Sequence, residues 1–141
     1  MKIAFDIGGV LSKYPKEFKE VISHFAGEHE NIFIITDQHP KQEVLETLRI
    51  NGFDFILADN VYCADYAKYG EMCKAIILRD LKIDILVDDF MGYLQWDYSW
   101  GKAPLRLLVM PDAQSPYWKE DWELLNDTPE FGRRVYSKER L

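Results

Sequence analysis

Apolar residues in this chain form short runs that alternate with amphipathic stretches, which is the pattern of an α/β protein. The first run, residues 2–11, is made of strand-forming residues up to Asp6 and then turns at Gly8 and Gly9. An unbroken apolar run indicates a strand that is buried on both faces, as in a parallel sheet. The two glycines allow a sharp turn and a close backbone approach to a ligand, and Gly8 is a candidate for a positive φ.

The later segments continue this alternation of helix and strand. Further helices are predicted from apolar residues at helical spacing, from proline at their starts and from glycine at their ends. They cover residues 15–27, 40–51 and 70–81. Further strands are predicted at residues 31–36, 53–57, 83–87 and 105–110, and a loop at residues 59–68. Strands that alternate with helices predict a three-layer α/β/α fold around a parallel sheet of about five strands.

Composition limits the classes of protein to which this chain can belong. Its 141 residues, 48% of them hydrophobic, fit one globular domain over residues 1–141. The net charge of −7 argues against nucleic acid and anionic membrane surfaces as partners. Cys63 and Cys73 are too few for a disulfide framework. Without a recognisable signal peptide or a long apolar segment, we expect a cytoplasmic protein.

The C-terminal part of the chain, residues 90–141, is rich in aromatic residues. It contains all four tryptophans, at Trp96, Trp100, Trp118 and Trp122. Because large aromatic side chains are mostly buried, we expect this part to complete the edge of the sheet beside the fifth strand. The alternative is an exposed patch that binds a protein partner, since tryptophan and tyrosine are frequent at interfaces.

Polar side chains stand where the predicted strands end. They are Asp6 after the first strand, Thr36 at the end of the second, and Asp88 and Asp89 after the fourth. A lysine, either Lys74 or Lys68, opens the helix before the fourth strand, and we favour Lys74 for its spacing to Asp88. Parallel strands bring these ends to one edge of the sheet. Carboxylates suit Mg²⁺, while a hydroxyl, an ammonium and free backbone N–H groups suit a phosphoryl group. The pattern therefore indicates phosphoryl transfer with Asp6 as candidate nucleophile.

The order of these motifs resembles the haloacid dehalogenase (HAD) superfamily of phosphohydrolases over about residues 2–90. The resemblance rests on the motif Asp-x-Gly-Gly-Val-Leu at residues 6–11, followed by a strand ending in Thr36, a lysine, and a strand ending in Asp88-Asp89. It implies a Rossmann-like sheet in the order 5-4-1-2-3. It also implies that Asp6 forms an aspartyl phosphate from a phosphomonoester.

The resemblance also implies roles for the other site residues. Thr36 would bind the phosphoryl oxygens, the lysine would neutralise charge, and Gly8, Gly9 and Asp37 would lie beside the substrate. Asp6, the Gly8 carbonyl, Asp88 and Asp89 would hold Mg²⁺. No segment is long enough for a cap domain, which in this superfamily implies an open site for a phosphorylated small molecule or macromolecule.

Gly8 is a departure from the family pattern. Most phosphatases of this superfamily have at this position a second aspartate that acts as general acid and base. The neighbouring residues Ser12, Lys13 and Tyr14 supply no replacement acid. Since general acid–base catalysis is worth about 10²–10⁴-fold, turnover is expected to be weak. The alternative is a non-catalytic HAD-like domain that binds metal and phosphate, or a protein partner.

Overall fold

The computed structural model describes residues 1–25, 29–95 and 103–109. The strands are β1 Ile3–Phe5, β2 Ile32–Thr36, β3 Val61–Cys63, β4 Ile85–Asp88 and β5 Leu105–Leu108. The helices are α1 Pro15–Phe25, α2 Lys41–Ile50, α3 Tyr66–Tyr69, α4 Cys73–Leu81 and α5 Met91–Leu94. All of these elements belong to one compact unit, Met1–Val109.

The five strands form one all-parallel sheet in the order β3-β2-β1-β4-β5. Read from the β5 edge, the same neighbours follow one another as 5-4-1-2-3. Strand β1 is central, and its Ile3 lies level with Ile32 of β2 and Ile85 of β4. The carboxyl ends of β1, β2 and β4 therefore meet at one edge, where open α/β sheets place their ligands.

The central strands are apolar because both faces of the sheet are covered. Phe5 and Ile34 belong to one apolar cluster, whereas their neighbours Ala4 and Phe33 belong to a second cluster on the other face. Every residue of β2 is buried. Alternate residues of a strand point to opposite faces, so two cores require apolar residues at every position. This packing confirms the α/β class and the parallel sheet that the sequence predicts.

The predicted third strand is wrong. Residues 53–57 form turns, and β3 lies within the predicted loop, at Val61–Cys63. Phe53 and Ile56 are buried, at 0% and 5% exposure, although they lie in turns. Their apolar character therefore reflects packing in the apolar cluster that also contains residues of α2 and β2. Periodicity over so short a segment does not distinguish a buried turn from a strand.

The predicted helix over residues 70–81 is divided. A short α3 precedes Gly70, a 3-10 turn covers Gly70–Met72, and α4 begins at Cys73. Gly70 has φ +59°, a left-handed conformation that a regular helix cannot contain. Asp65 caps α3 by accepting a hydrogen bond from the Lys68 amide at 3.0 Å. Lys74 consequently lies in the first turn of α4.

The C-terminal prediction is covered only in part. Strand β5 lies at the sheet edge next to β4, and the predicted strand over residues 105–110 extends to residue 110, outside the described residues. The four tryptophans, and with them the question of a partner surface, also lie outside the described residues. Among the helices in the described ranges, none has the length and apolar character needed to cross a lipid bilayer.

Candidate active site at the carboxyl edge of the sheet

Asp6 follows β1 directly and lies between the two neighbouring strand ends. Its backbone N–H donates to the Val87 carbonyl of β4 at 3.0 Å, which fixes the residue at the edge of the sheet. The residue is 7% exposed. Asp6 Oδ1 is buried, and it lies 3.0 Å from the Lys74 ammonium. A buried carboxylate oxygen with free lone pairs is an available ligand for a cation or an available nucleophile.

Lys74 is the cation of this site. It is fully buried, and its ammonium lies 2.6 Å from Asp88 Oδ2 and 3.0 Å from Asp6 Oδ1. Burial by itself would lower the pKa of Lys74, but the charges of Asp88 and Asp6 outweigh it and raise the pKa above its ordinary value. The ammonium therefore stays charged. Burying a lysine and two carboxylates is costly for folding, and such clusters are common at functional sites.

Lys68, the other candidate lysine, lies outside the site. Its side chain is exposed and sits 5.0 Å from the ring centre of Tyr69. The divided helix explains the difference between the two lysines, because Gly70 separates α3 from α4.

Asp88 and Asp89 complete an acidic cluster with Asp6. One carboxylate oxygen from each of the three residues lies within 4.8 Å of the others. Asp88 Oδ1 accepts a hydrogen bond from the Phe90 amide at 3.0 Å, which orients the side chain at the end of β4. Two of these three carboxylates, those of Asp6 and Asp88, also pair with the Lys74 ammonium.

Burial and mutual repulsion disfavour full ionisation of this cluster. Burial raises the pKa of Asp89 to about 7, and the charges of Asp6 and Asp88 add to the effect. Burial also raises the pKa of Asp88, with Lys74 opposing it. A divalent cation would relieve this repulsion, and hard oxygen ligands that converge from separate strand ends are a donor set that fits Mg²⁺.

The two glycines in the turn after Asp6 differ in backbone conformation. Gly9, not Gly8, takes the positive φ, at +70°, and a Cβ on Gly9 would overlap the Asp89 carboxylate. Gly8 has φ −62° and ψ 130°, which any residue can adopt. A Cβ on Gly8 would lie 3.3 Å from the side-chain amide Nε2 of Gln38. Gly8, the candidate for a positive φ, therefore does not take one, and the exposed Gln38 side chain lies close to where a Cβ at position 8 would be.

Thr36 ends β2 at the same edge of the sheet. The residue is fully buried, and its hydroxyl oxygen Oγ1 accepts a hydrogen bond from the Gln38 amide at 3.2 Å. Its carbonyl accepts from the Ala64 amide at 2.6 Å, which ties the strand end to the segment after β3. The hydroxyl is thus held at the start of the turn that carries Asp37 and Gln38.

Tyr93 contacts this site, although the sequence predicts for its aromatic segment either a cover for the sheet edge or a surface for a protein partner. It lies on α5, is 3% exposed, and donates a hydrogen bond from its hydroxyl to Asp37 Oδ2 at 2.6 Å. The centre of its ring is 4.4 Å from Lys74 Nζ. Burial and the bond to Asp37 raise the pKa of Tyr93, so the hydroxyl remains a donor. Its position five residues after Asp88 is the only sequence signal for this role, and that signal is weak.

Comparison of the chain with protein-family models, with curated proteins and with solved structures found no match.

Proposed function

We propose that this protein is a Mg²⁺-dependent phosphohydrolase of the haloacid dehalogenase type that acts on phosphomonoesters. The observation that carries the proposal is the buried Lys74 ammonium between Asp6 and Asp88, with Asp89 close enough to share a cation with both. The parallel sheet, which has these groups at the carboxyl ends of β1 and β4, supports the same function. Because proteins of one fold class catalyse many different reactions, it is the side chains of the site, and not the fold, that support this function.

In the proposed reaction, a carboxylate oxygen of Asp6 attacks phosphorus. The Asp6–phosphorus bond forms as the bond to the ester oxygen breaks, and the alcohol leaves with a proton taken from solvent. Water then attacks phosphorus, the aspartyl phosphate is cleaved, and inorganic phosphate and the Asp6 carboxylate are released. In this reaction Lys74 offsets negative charge beside the nucleophile, and the Thr36 hydroxyl binds a phosphoryl oxygen.

Asp6, Asp88 and Asp89 are the residues that would hold the metal, together with the Gly8 carbonyl. Bound Mg²⁺ would supply charge neutralisation for the phosphoryl oxygens. Asp37, which the resemblance puts beside the substrate, accepts a hydrogen bond at its Oδ2 from the Tyr93 hydroxyl.

A screen of phosphomonoesters tests the proposal directly. We expect release of inorganic phosphate from at least one member of a panel of sugar, nucleotide, peptide and aryl phosphates, with activity that requires Mg²⁺ and is lost with a chelator. The same panel with Asp6→Asn protein is the control for a contaminating phosphatase. Equal activity of the two proteins would contradict the proposal.

A second candidate function is a non-catalytic domain that binds metal and phosphate, or a protein partner, at this site. The observation that favours it is Gly8, which brings no carboxylate to protonate a leaving group. Binding of Mg²⁺ and phosphate without turnover of any panel member would support this alternative.

Mg²⁺ binding should depend on pH in a defined direction. Since burial raises the pKa of Asp89 to about 7, the proton must leave before the carboxylate can coordinate a cation. We expect the affinity measured by calorimetry to increase as pH rises from 6 to 7, by up to about tenfold per unit, and to level off above the pKa.

Two variants define the controls for this titration. Asp89→Asn should weaken binding and remove most of the pH dependence, and combined Asp88→Ala and Asp89→Ala replacement should abolish binding. Unchanged Mg²⁺ affinity in the double variant would place the metal elsewhere.

A further inference from the structure

Tyr93 contacts two side chains of opposite charge, Lys74 and Asp37. Its ring centre lies 4.4 Å from the Lys74 ammonium, and its hydroxyl donates to Asp37 Oδ2 at 2.6 Å. The ring face attracts a cation, and the hydroxyl satisfies an anion. One side chain thus contacts both charges.

The position of Tyr93 is fixed by packing rather than by its two polar contacts alone. Its ring packs edge-on against Phe90, with ring centres 5.0 Å apart, and against Tyr66 at 6.4 Å. The residue is 3% exposed. A buried ring that packs against two other rings keeps one rotamer. We therefore expect the Tyr93 ring to stay in place when Asp37 or Lys74 moves.

Asp37 is the group from which Lys74 needs to be separated. Asp37 directly follows Thr36, the last residue of β2, and is exposed. A carboxylate paired with Lys74 from this side would draw the ammonium away from Asp6 and add negative charge where a phosphoryl group must bind.

We propose that Tyr93 is a positioning residue that reserves Lys74 for the phosphoryl site by keeping the Asp37 carboxylate apart from it. The inference rests on the proposed function, because a reserved ammonium matters only where an anionic group binds beside Asp6. Tyr93 touches Lys74 and Asp37 in the structure, and it acts on the bound phosphoryl group through them.

The test compares Tyr93→Phe, which keeps the ring and removes the hydroxyl, with Tyr93→Leu, which removes both. The probe is beryllofluoride with Mg²⁺, a mimic of a phosphoryl group on a carboxylate, and the measured quantity is its dissociation constant. We expect binding to weaken about threefold in Tyr93→Phe and more than tenfold in Tyr93→Leu, while the Mg²⁺ affinity stays within about twofold of the wild type. Tyr66→Phe is the matched control, because it removes the hydroxyl of the neighbouring ring and leaves Asp37 and Lys74 in place.

Rescue by a second substitution separates positioning from a structural role. Adding Asp37→Asn to either Tyr93 variant removes the competing charge, so mimic binding should return to within about twofold of the wild type. A purely structural Tyr93 would give no rescue, and that result would overturn the inference, as would unchanged mimic binding in Tyr93→Phe and Tyr93→Leu.

A readout without any ligand distinguishes failure of this inference from failure of the proposed function. The proton signals of the Lys74 ammonium, observed by NMR, report its burial and its ion pairs directly. We expect their exchange with water to be faster in Tyr93→Leu and slowed again by Asp37→Asn. If the wild type binds no mimic but the ammonium responds in this way, the proposed function fails and the separation of charges stands; an ammonium that does not respond overturns the inference.

Discussion

Asp6→Asn should abolish the stabilisation that beryllofluoride and Mg²⁺ give to the wild-type protein. Beryllium in this mimic bonds to a carboxylate oxygen, and an amide offers no equivalent anionic oxygen. A ligand present at about 100 times its dissociation constant stabilises a native state by about 2.7 kcal/mol, which for a chain of this size raises Tm by roughly 5–10 °C. We expect this rise in the wild type and none in Asp6→Asn, measured by thermal unfolding.

Two controls separate loss of the acceptor from loss of the fold. The Asp6→Asn protein should remain folded, because Lys74 keeps its 2.6 Å ion pair with Asp88 and the cluster carries less negative charge. Asp59→Asn changes an exposed carboxylate just before β3, at the amino ends of the strands and therefore away from the site. This variant should keep the full rise in Tm. An equal rise in the wild type and in Asp6→Asn would show that Asp6 is not the acceptor.

The convergence of charged groups was predictable because it follows from topology. Strand β1, which precedes Asp6, and strand β4, which ends at Asp88, are parallel neighbours. Their carboxyl ends therefore meet at one edge, wherever the intervening helices begin. The preference for Lys74 over Lys68 depended only on helical spacing to Asp88, and the structure places Lys74 between the two aspartates.

The features that the sequence did not reveal depend on tertiary packing. Strand β3 has only three residues, and the longer apolar segment at residues 53–57, with the buried Phe53 and Ile56, lies shortly before it, so the local pattern favoured the wrong segment. Tyr93 becomes a site residue only because α5 folds back over Lys74, across a separation of 56 residues from its partner Asp37. A tyrosine that only covers a sheet and a tyrosine that contacts the charged groups of a site have the same local sequence signal.

The two glycines after Asp6 show how conformation decides which substitution is informative. Gly9 takes a positive φ and leaves no room for a Cβ beside Asp89, so a side chain there would disturb the cluster. Gly8 has an ordinary extended conformation, and its nearest obstacle is the end of the exposed Gln38 side chain. An aspartate at position 8 is therefore compatible with the backbone, and Gln38→Ala in the same protein removes the one close approach.

Gly8→Asp should accordingly raise the rate of hydrolysis of alkyl phosphates, by up to about 10²–10⁴-fold. An alkyl leaving group needs a proton as its bond to phosphorus breaks, and the water that cleaves the aspartyl phosphate needs a base; the new carboxyl can serve both. Aryl phosphates leave without protonation, so their first step should change little, and the wild type should hydrolyse them far faster than alkyl phosphates. In the wild type the second step should be slow, so that quenched-flow measurements with an aryl phosphate show a burst of alcohol product.

Gly8→Asn is the matched control for this gain, because it has the same size and hydrogen-bonding reach as aspartate but cannot transfer a proton at neutral pH. It should leave the wild-type preference for aryl phosphates unchanged, and both variants should match the wild type in circular dichroism and in Mg²⁺ affinity. If a folded Gly8→Asp protein gains nothing, also when combined with Gln38→Ala, and the wild type hydrolyses alkyl and aryl phosphates equally fast, then another residue supplies the proton. The substitution thus separates an enzyme limited by proton transfer from one whose acid comes from elsewhere at the edge of the sheet.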